Sequence, residues 1–286
     1  MIIVLAGCQK VSDLNNEVKA MEPLTMQIWP ASALDEGAGL HTETTEPQKN
    51  DGVIRFRNVT APSIAVYQAK GFEGVRPAVL VCPGGGYNIL AHNLEGTEIA
   101  QWFNSIGVTA IVLKYRVPGQ RDNAFKDVQR ALRMVRANAG QYNIDPQRIG
   151  IMGFSAGGHL SARLSGDYDS KVYQPLDEID KVSCRPDFAV LIYPAYLVNK
   201  ANEISPEIKV DRKNPPVFLV QTLDDGIRVE NAIYYALAAK KVGIAAELHV
   251  FADGGHGYGM RPSVHAVCRW PQLLQSWLKA KGFLTE

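Results

Sequence analysis

An α/β fold with a mostly parallel central sheet in a three-layer sandwich is predicted by three features of the sequence. Apolar runs of strand length alternate with helical patterns from about residue 77 onward, the order that gives parallel strands joined by helices. Several of those runs are continuously apolar, as strands covered on both faces are. Gly153-Phe154-Ser155-Ala156-Gly157 falls where a strand pattern gives way to a helix pattern. Glycines on both sides of so sharp a turn lift the serine hydroxyl clear of the sheet, which is the nucleophile elbow, G-x-S-x-G.

Taken in order, residues 1–8 end in Leu5-Ala6-Gly7-Cys8 and resemble a bacterial lipobox, a truncated lipoprotein signal whose lipid would sit on Cys8. The basic leader and the full apolar segment of about 7–15 residues are missing from it. A second reading is a fortuitous apolar start. Mass spectrometry of protein expressed from a longer reading frame tests the signal, and an uncut, unmodified N-terminus excludes it. Residues 9–22 are polar and read as a tether, leaving 23–286 as one domain, a size suited to a single large α/β unit.

Extended pieces are expected at Met26-Gln27-Ile28-Trp29 and Ser63-Ile64-Ala65-Val66-Tyr67, with loop over 31–52, rich in Glu, Thr, Gly and Asp. Strands follow at 77–82, 108–113, 148–152, 188–193, 217–220 and 247–251. Helices are read over 95–106, 122–139 and 230–241, and a closing helix carries Val267, Trp270, Leu274, Trp277 and Leu278 at helical spacing. Phe125, Val128, Leu132 and Val135 mark one face of the second helix. The aromatic stripe of the last helix is core packing.

Composition narrows the function. Thirty basic and twenty-nine acidic side chains leave a net charge of +1, and no basic stripe supports nucleic-acid binding. No hydrophobic run is long enough to span a bilayer. If Cys8 is the anchor, three cysteines remain, so at least one is a free thiol. Cys82 reads as a small buried hydrophobe, and Cys184 and Cys268 are candidates for a bridge in an oxidising compartment. None shows the spacing of a zinc site.

A serine hydroxyl needs a base to take its proton and an acid to orient that base. Ligand sites in such sheets lie beyond the carboxyl ends of the strands, which filters six histidines. His41 lies in the polar N-terminal loop, His159 one turn beyond Ser155, His249 inside a strand and His265 before the last helix. His92 follows a glycine loop and is a weak substrate-contact candidate. His256, in Gly254-Gly255-His256-Gly257-Tyr258-Gly259 just past a late strand, is the base. Tyr258 shares that loop and is a second weak substrate candidate. Asp224 and Asp225 both end the preceding strand on the same edge, Asp187 begins its own, and Asp253 lies close to the histidine. The chain order Ser, Asp, His is that of α/β-hydrolases. The oxyanion should rest on the Ala156 amide and on the loop Cys82-Pro83-Gly84-Gly85-Gly86-Tyr87, with Gly85, Gly86 and Tyr87 as donors. That loop has neither phosphate-binding glycine pattern.

Together, Cys82-Pro83-Gly84-Gly85-Gly86-Tyr87, Leu113-Lys114-Tyr115-Arg116, residues 105–110, 149–160, 186–196 and 254–262 resemble the acetyl-xylan-esterase-like α/β-hydrolases, related to the BD-FAE and dienelactone hydrolase families, over residues 27 to 286. The resemblance implies deacylation of plant cell-wall polysaccharide or oligosaccharide by secreted, periplasmic or outer-membrane bacterial enzymes. It requires no metal or organic cofactor. It assigns Ser155 as nucleophile, His256 as base and Asp225, the second aspartate of its motif, as acid. Gln221 stands where that motif has histidine, the segment 226–231 is one residue short, and Pro83 replaces the histidine that opens many esterase glycine loops. The loop 196–214 is too short for a bulky cap, which suits a polymer. Rival readings are a peptidase or dienelactone-type hydrolase, a glycoside hydrolase, and a non-catalytic carbohydrate-binding scaffold. The oligomeric state is not written in the sequence.

Overall fold

The computed structural model describes residues 23–34, 42–46 and 49–284. The signal and tether read at 1–22, with Cys8, and His41 lie outside the described residues. Strands β1 (Leu24–Gln27), β2 (Thr44–Thr45), β3 (Arg55–Arg57), β4 (Ser63–Tyr67), β5 (Arg76–Cys82) and β6 (Leu90–Ala91) precede helix α1 (Glu98–Ser105). Then come β7 (Thr109–Lys114), α2 (Arg121–Ala137), β8 (Ile144–Phe154) and α3 (Ala156–Asp167). The chain continues through β9 (Ala189–Ile192), β10 (Val217–Thr222), α4 (Glu230–Lys241), β11 (Ala246–Phe251) and α5 (Trp270–Ala280).

Eight strands form the central sheet in the order β1-β4-β7-β5-β8-β9-β10-β11. The six from β7 to β11 run parallel, while β1 and β4 add an antiparallel edge. Alternation along the strands divides the core. Ala78, Leu80 and Cys82 of β5 pack with the faces of α2, α3 and α4, and Val79 and Val81 pack on the other side with α1 and α5. Both faces of β5 are therefore buried, and after Arg76 its run is apolar throughout. This is the three-layer α/β-hydrolase sandwich.

The N-terminal segment is fastened to α2 by buried polar contacts. The Asp127 carboxylate accepts from Trp29 Nε1 (2.7 Å) and from the Arg116 guanidinium (2.7 Å). Arg130 donates to the Ile28 carbonyl (2.8 Å) and pairs with Asp177 and Asp180. Polar groups inside helix α2 are thus satisfied at the cost of drawing a distant segment onto it.

The elements differ from expectation in two places. Within 31–52, read as loop, Thr44–Thr45 pairs with β3, and β3 pairs with β6; strands of two or three residues carry no periodic signal. The helix read from 95 begins with a wide π-helical turn, Asn93–Thr97, before α1. The pairing of Cys184 with Cys268, which the sequence leaves open, does not form: no disulfide joins them, and the buried Cys184 Sγ donates to the Tyr168 carbonyl (3.0 Å). Among the described residues, no helix is long and apolar enough to cross a membrane.

Candidate active site

The elbow is built by what its neighbours lack. A Cβ on Gly153 would stand 2.0 Å from the Gly157 carbonyl oxygen, and one on Gly157 would stand 2.0 Å from that of Cys82. Ser155 at the apex has φ 51°, a left-handed backbone that costs a non-glycine residue about 1–3 kcal/mol. The conformation is held by the edge of β9: Ser155 N donates to the Ile192 carbonyl and its own carbonyl accepts from the Ala195 amide, both at 3.1 Å.

Three side chains from the carboxyl ends of three strands meet there. His256 Nε2 lies 3.0 Å from Ser155 Oγ, and His256 Nδ1 lies 2.8 Å from Asp225 Oδ2. The other Asp225 oxygen accepts from the Ile227 amide at 2.6 Å. The Asp225 side chain has no exposed surface, while that of His256 is 31% exposed, so the acid works out of water and the base at its edge. Asp224, the alternative acid, points elsewhere: its carboxylate accepts from the Gly255 amide (2.9 Å) and the Gly254 amide (3.1 Å). Those bonds hold its carboxyl below the usual range and fix the loop that carries His256. Gln221, where the family motif has histidine, bonds the Thr222 amide and the Ile227 carbonyl. It braces the same turn by another route.

The glycine loop lies against the elbow. A Cβ on Gly84 would approach Ser155 Cβ to 3.0 Å. The Gly84 amide is occupied, donating to Glu95 Oε2 at 2.6 Å. Among the described residues, nothing accepts from the amides of Gly85 or Gly86. Ala156 is the first residue of α3, so its amide has no partner within the helix. These amides are available to a developing oxyanion. Tyr87 presents a backbone with φ 60°, but its side chain turns into the core, its hydroxyl 2.7 Å from His159 Nδ1.

Glu95 was not singled out by the sequence. It is fully buried, accepting from Gly84 on one oxygen and from the Tyr193 hydroxyl (2.8 Å) on the other. Burial raises its carboxyl pKa, while the bonds from Tyr193 and Gly84 oppose that rise. The Tyr193 ring stands 4.8 Å from the His256 ring, and its oxygen accepts from the Gly259 amide at 3.3 Å. One carboxylate therefore links the oxyanion loop to the floor under the histidine. Its signal was present: Glu95 extends the four-residue step of Ile99 and Phe103, putting an acid on an apolar stripe.

Both weak substrate candidates carry a buried polar atom with no partner among the described residues. His92 stands with the small sheet, its ring edge-on to Phe56 at 4.8 Å and its Nδ1 buried without a partner among the described residues. Tyr258 packs edge-on against Tyr193 (4.5 Å) with its hydroxyl buried and unbonded, a prop for the floor. His249 pairs with Glu247 and His265 with Asp253 at the surface. Asp187 lies at the far end of its strand, bonding the Ile149 amide and Arg136. Burial pushes the Cys82 thiol up to about 12, which leaves it unreactive. Among the described residues, no cluster of three or more His, Cys, Asp or Glu is arranged to hold a metal ion.

A family model described as BD-FAE matches residues 64–190. An acetylxylan esterase of Xylanibacter ruminicola is 31% identical over 229 residues, covering 71% of this chain and 45% of that protein. An endo-1,4-beta-xylanase B of Butyrivibrio fibrisolvens is 34% identical over 208 residues, covering 64% of this chain and 32% of that protein. The chain thus spans less than half the length of these two relatives. An acetyl ester-xyloside bifunctional hydrolase from Caldicellulosiruptor lactoaceticus has a similar structure, with TM-score 0.76 and 31% identity over 92% of this chain and 98% of that one.

Burial lowers the pKa of His92 and of His159 to about 4, so both are neutral in the folded protein where an unfolded histidine begins to titrate. The unfolded chain then binds more protons between pH about 6.5 and 4, and stability falls as pH is lowered through that window. Each histidine should cost about 1–2 kcal/mol at pH 5 relative to pH 8. Urea denaturation at both values reads the slope, which His159→Gln and His92→Gln should flatten. An unchanged slope in the double variant contradicts the assignment.

Proposed function

Because the chain belongs to the acetyl-xylan-esterase-like α/β-hydrolases, we propose that it is a serine carboxylesterase removing acetyl groups from plant cell-wall polysaccharide, or from oligosaccharides cut from it, outside the cytoplasm. The relay of Ser155, His256 and Asp225, at 3.0 and 2.8 Å, carries the reading. His256 Nε2 takes the Ser155 proton as Oγ attacks the ester carbonyl. Asp225, buried against Nδ1, holds the ring in the tautomer that leaves Nε2 basic and stabilises the imidazolium. The carbonyl oxygen becomes an anion facing the amides of Ala156, Gly85, Gly86 and Tyr87, each such donor being worth about 3–4 kcal/mol in the transition state. The bond from the acyl carbon to the sugar oxygen then breaks, His256 gives its proton to that oxygen, and an acetyl-serine is left. Water, deprotonated by the same histidine, releases acetate and restores the enzyme.

Glycoside cleavage belongs to the names of two similar proteins and needs a pair of facing carboxylates. Asp224 and Asp225 do not supply one, since both are committed to holding the His256 loop and ring. Acetate release from acetylated xylan, measured beside acetylated glucomannan and pectin, tests the proposal. Ser155→Ala should lower turnover about 10⁶-fold, and a fluorophosphonate probe should label the parent enzyme at Ser155. Absence of both acetate release and labelling sinks the esterase reading.

Glu95 supplies a second check. An amide at this position offers one acceptor to the two donors now bonded to the carboxylate, so the glycine loop and Tyr193 are no longer held together. Glu95→Gln should reduce kcat by about 10²-fold, the scale of a misplacement near 1 Å, with KM little altered and Ser155 still labelled slowly. Unchanged kcat in a folded Glu95→Gln protein removes this role.

A further inference from the structure

A guanidinium stands where helix energetics argue against one. Arg121 opens the seventeen-residue helix α2, and the free amides of a helix N-terminus disfavour a neighbouring cation. Among the described residues no carboxylate pairs with it. Asp122, beside it, is paired with Arg163 at 3.1 Å. Arg121 lies instead over two aromatic faces, 4.4 Å from the ring centroid of Tyr196 and 5.0 Å from that of Tyr87. Stacking on rings leaves the in-plane N–H groups of a guanidinium free to donate.

The rings are planted beside the oxyanion loop. Tyr196 follows Ala195, whose amide bonds Ser155, and it holds a left-handed backbone with φ 59°. That conformation is costly for tyrosine, yet the side chain stays 37% exposed. A Cβ on Gly86 would come within 3.9 Å of the Tyr196 hydroxyl. An open groove of ≈ 520 Å³ runs here from Gly86 and Asn88 to Arg121 and Asn123. Arg121 and the Tyr87 ring beneath it both line that groove, which reaches Gly86 of the oxyanion loop.

A planar, fixed fork of donors matches a carboxylate better than it matches a neutral hydroxyl, and carbohydrates carry carboxylates as uronic acids. We propose that Arg121, backed by Tyr196 and Tyr87, is a subsite for the carboxylate of a uronic acid borne by the acetylated carbohydrate. The inference rests on the esterase reading given above. It makes the enzyme selective for esters close to an acidic sugar.

The test compares acetate release from acetylated xylo-oligosaccharides with and without one glucuronic acid branch. The parent enzyme should favour the acidic substrate by about five- to tenfold in kcat/KM, the effect of one charge-assisted contact, and chiefly through KM. Arg121→Gln should bring the ratio to near one, and high salt should erode it in the parent alone. A ratio near one in the parent, or a ratio unmoved by Arg121→Gln, overturns the subsite while leaving the esterase intact. Failure to release acetate from either substrate removes both.

Discussion

The contact between the glycine loop after β5 and the elbow after β8 is the constraint on which the site depends. Two backbone segments from adjacent parallel strands approach so closely that a single methyl group on Gly84 or Gly157 would meet a carbonyl oxygen, at 2.6 and 2.0 Å respectively. Only this approach puts the amides of the loop and of Ala156 around one point in front of Ser155. The strained serine backbone, its tie to β9 and the placement of Gly85 and Gly86 all presuppose it. The bond from the Gly84 amide to Glu95 (2.6 Å) then fixes the loop from behind.

Much of this was legible in the sequence because it depends on spacing and on residue type. Continuous apolar runs marked β5, β7, β9 and β10, whose two faces are buried in different clusters. Small residues flanking Ser155 marked the elbow, and strand order placed Asp225 and His256 on the same edge. What stayed hidden depends on side-chain direction. Asp224 and Asp225 are neighbours with identical chemistry, which strand order alone leaves open and the resemblance resolves to Asp225; the turn at Ile227 is what faces that one to the imidazole. Glu95 betrays itself only through its four-residue step to Ile99 and Phe103, since the π-helical turn that aims it inward leaves no pattern of its own. Nor could it be read that His92 packs on Phe56, since closeness along the chain to a glycine loop does not fix which way the backbone turns. The two-residue pairings of β2 and β6 carry no period at all.

Adjacent groups divide the labour of holding the relay. Asp225 holds the ring of His256, Asp224 holds the loop amides on either side of Gly254, and Tyr193 closes the space beneath. Tyr193 in turn is held by Glu95, and Trp270 fixes the far end of the loop by donating to the Gly259 carbonyl at 2.8 Å. A glycine-rich loop is thereby made rigid without bulky residues of its own. The entropy that Gly254, Gly255 and Gly259 would otherwise retain is removed by bonds to their backbone. The histidine is consequently presented in one position while much of its surface remains in water.

Strand β11 pairs with β10 on one side, and among the described residues no strand pairs with its other edge. It is the most exposed of the parallel strands, and it delivers the loop bearing His256. The nucleophile, by contrast, sits on β8 in the middle of the sheet. Opening of protein structure starts where few apolar contacts resist it. Heat should therefore detach the base from an otherwise folded molecule, and inactivation should run ahead of melting.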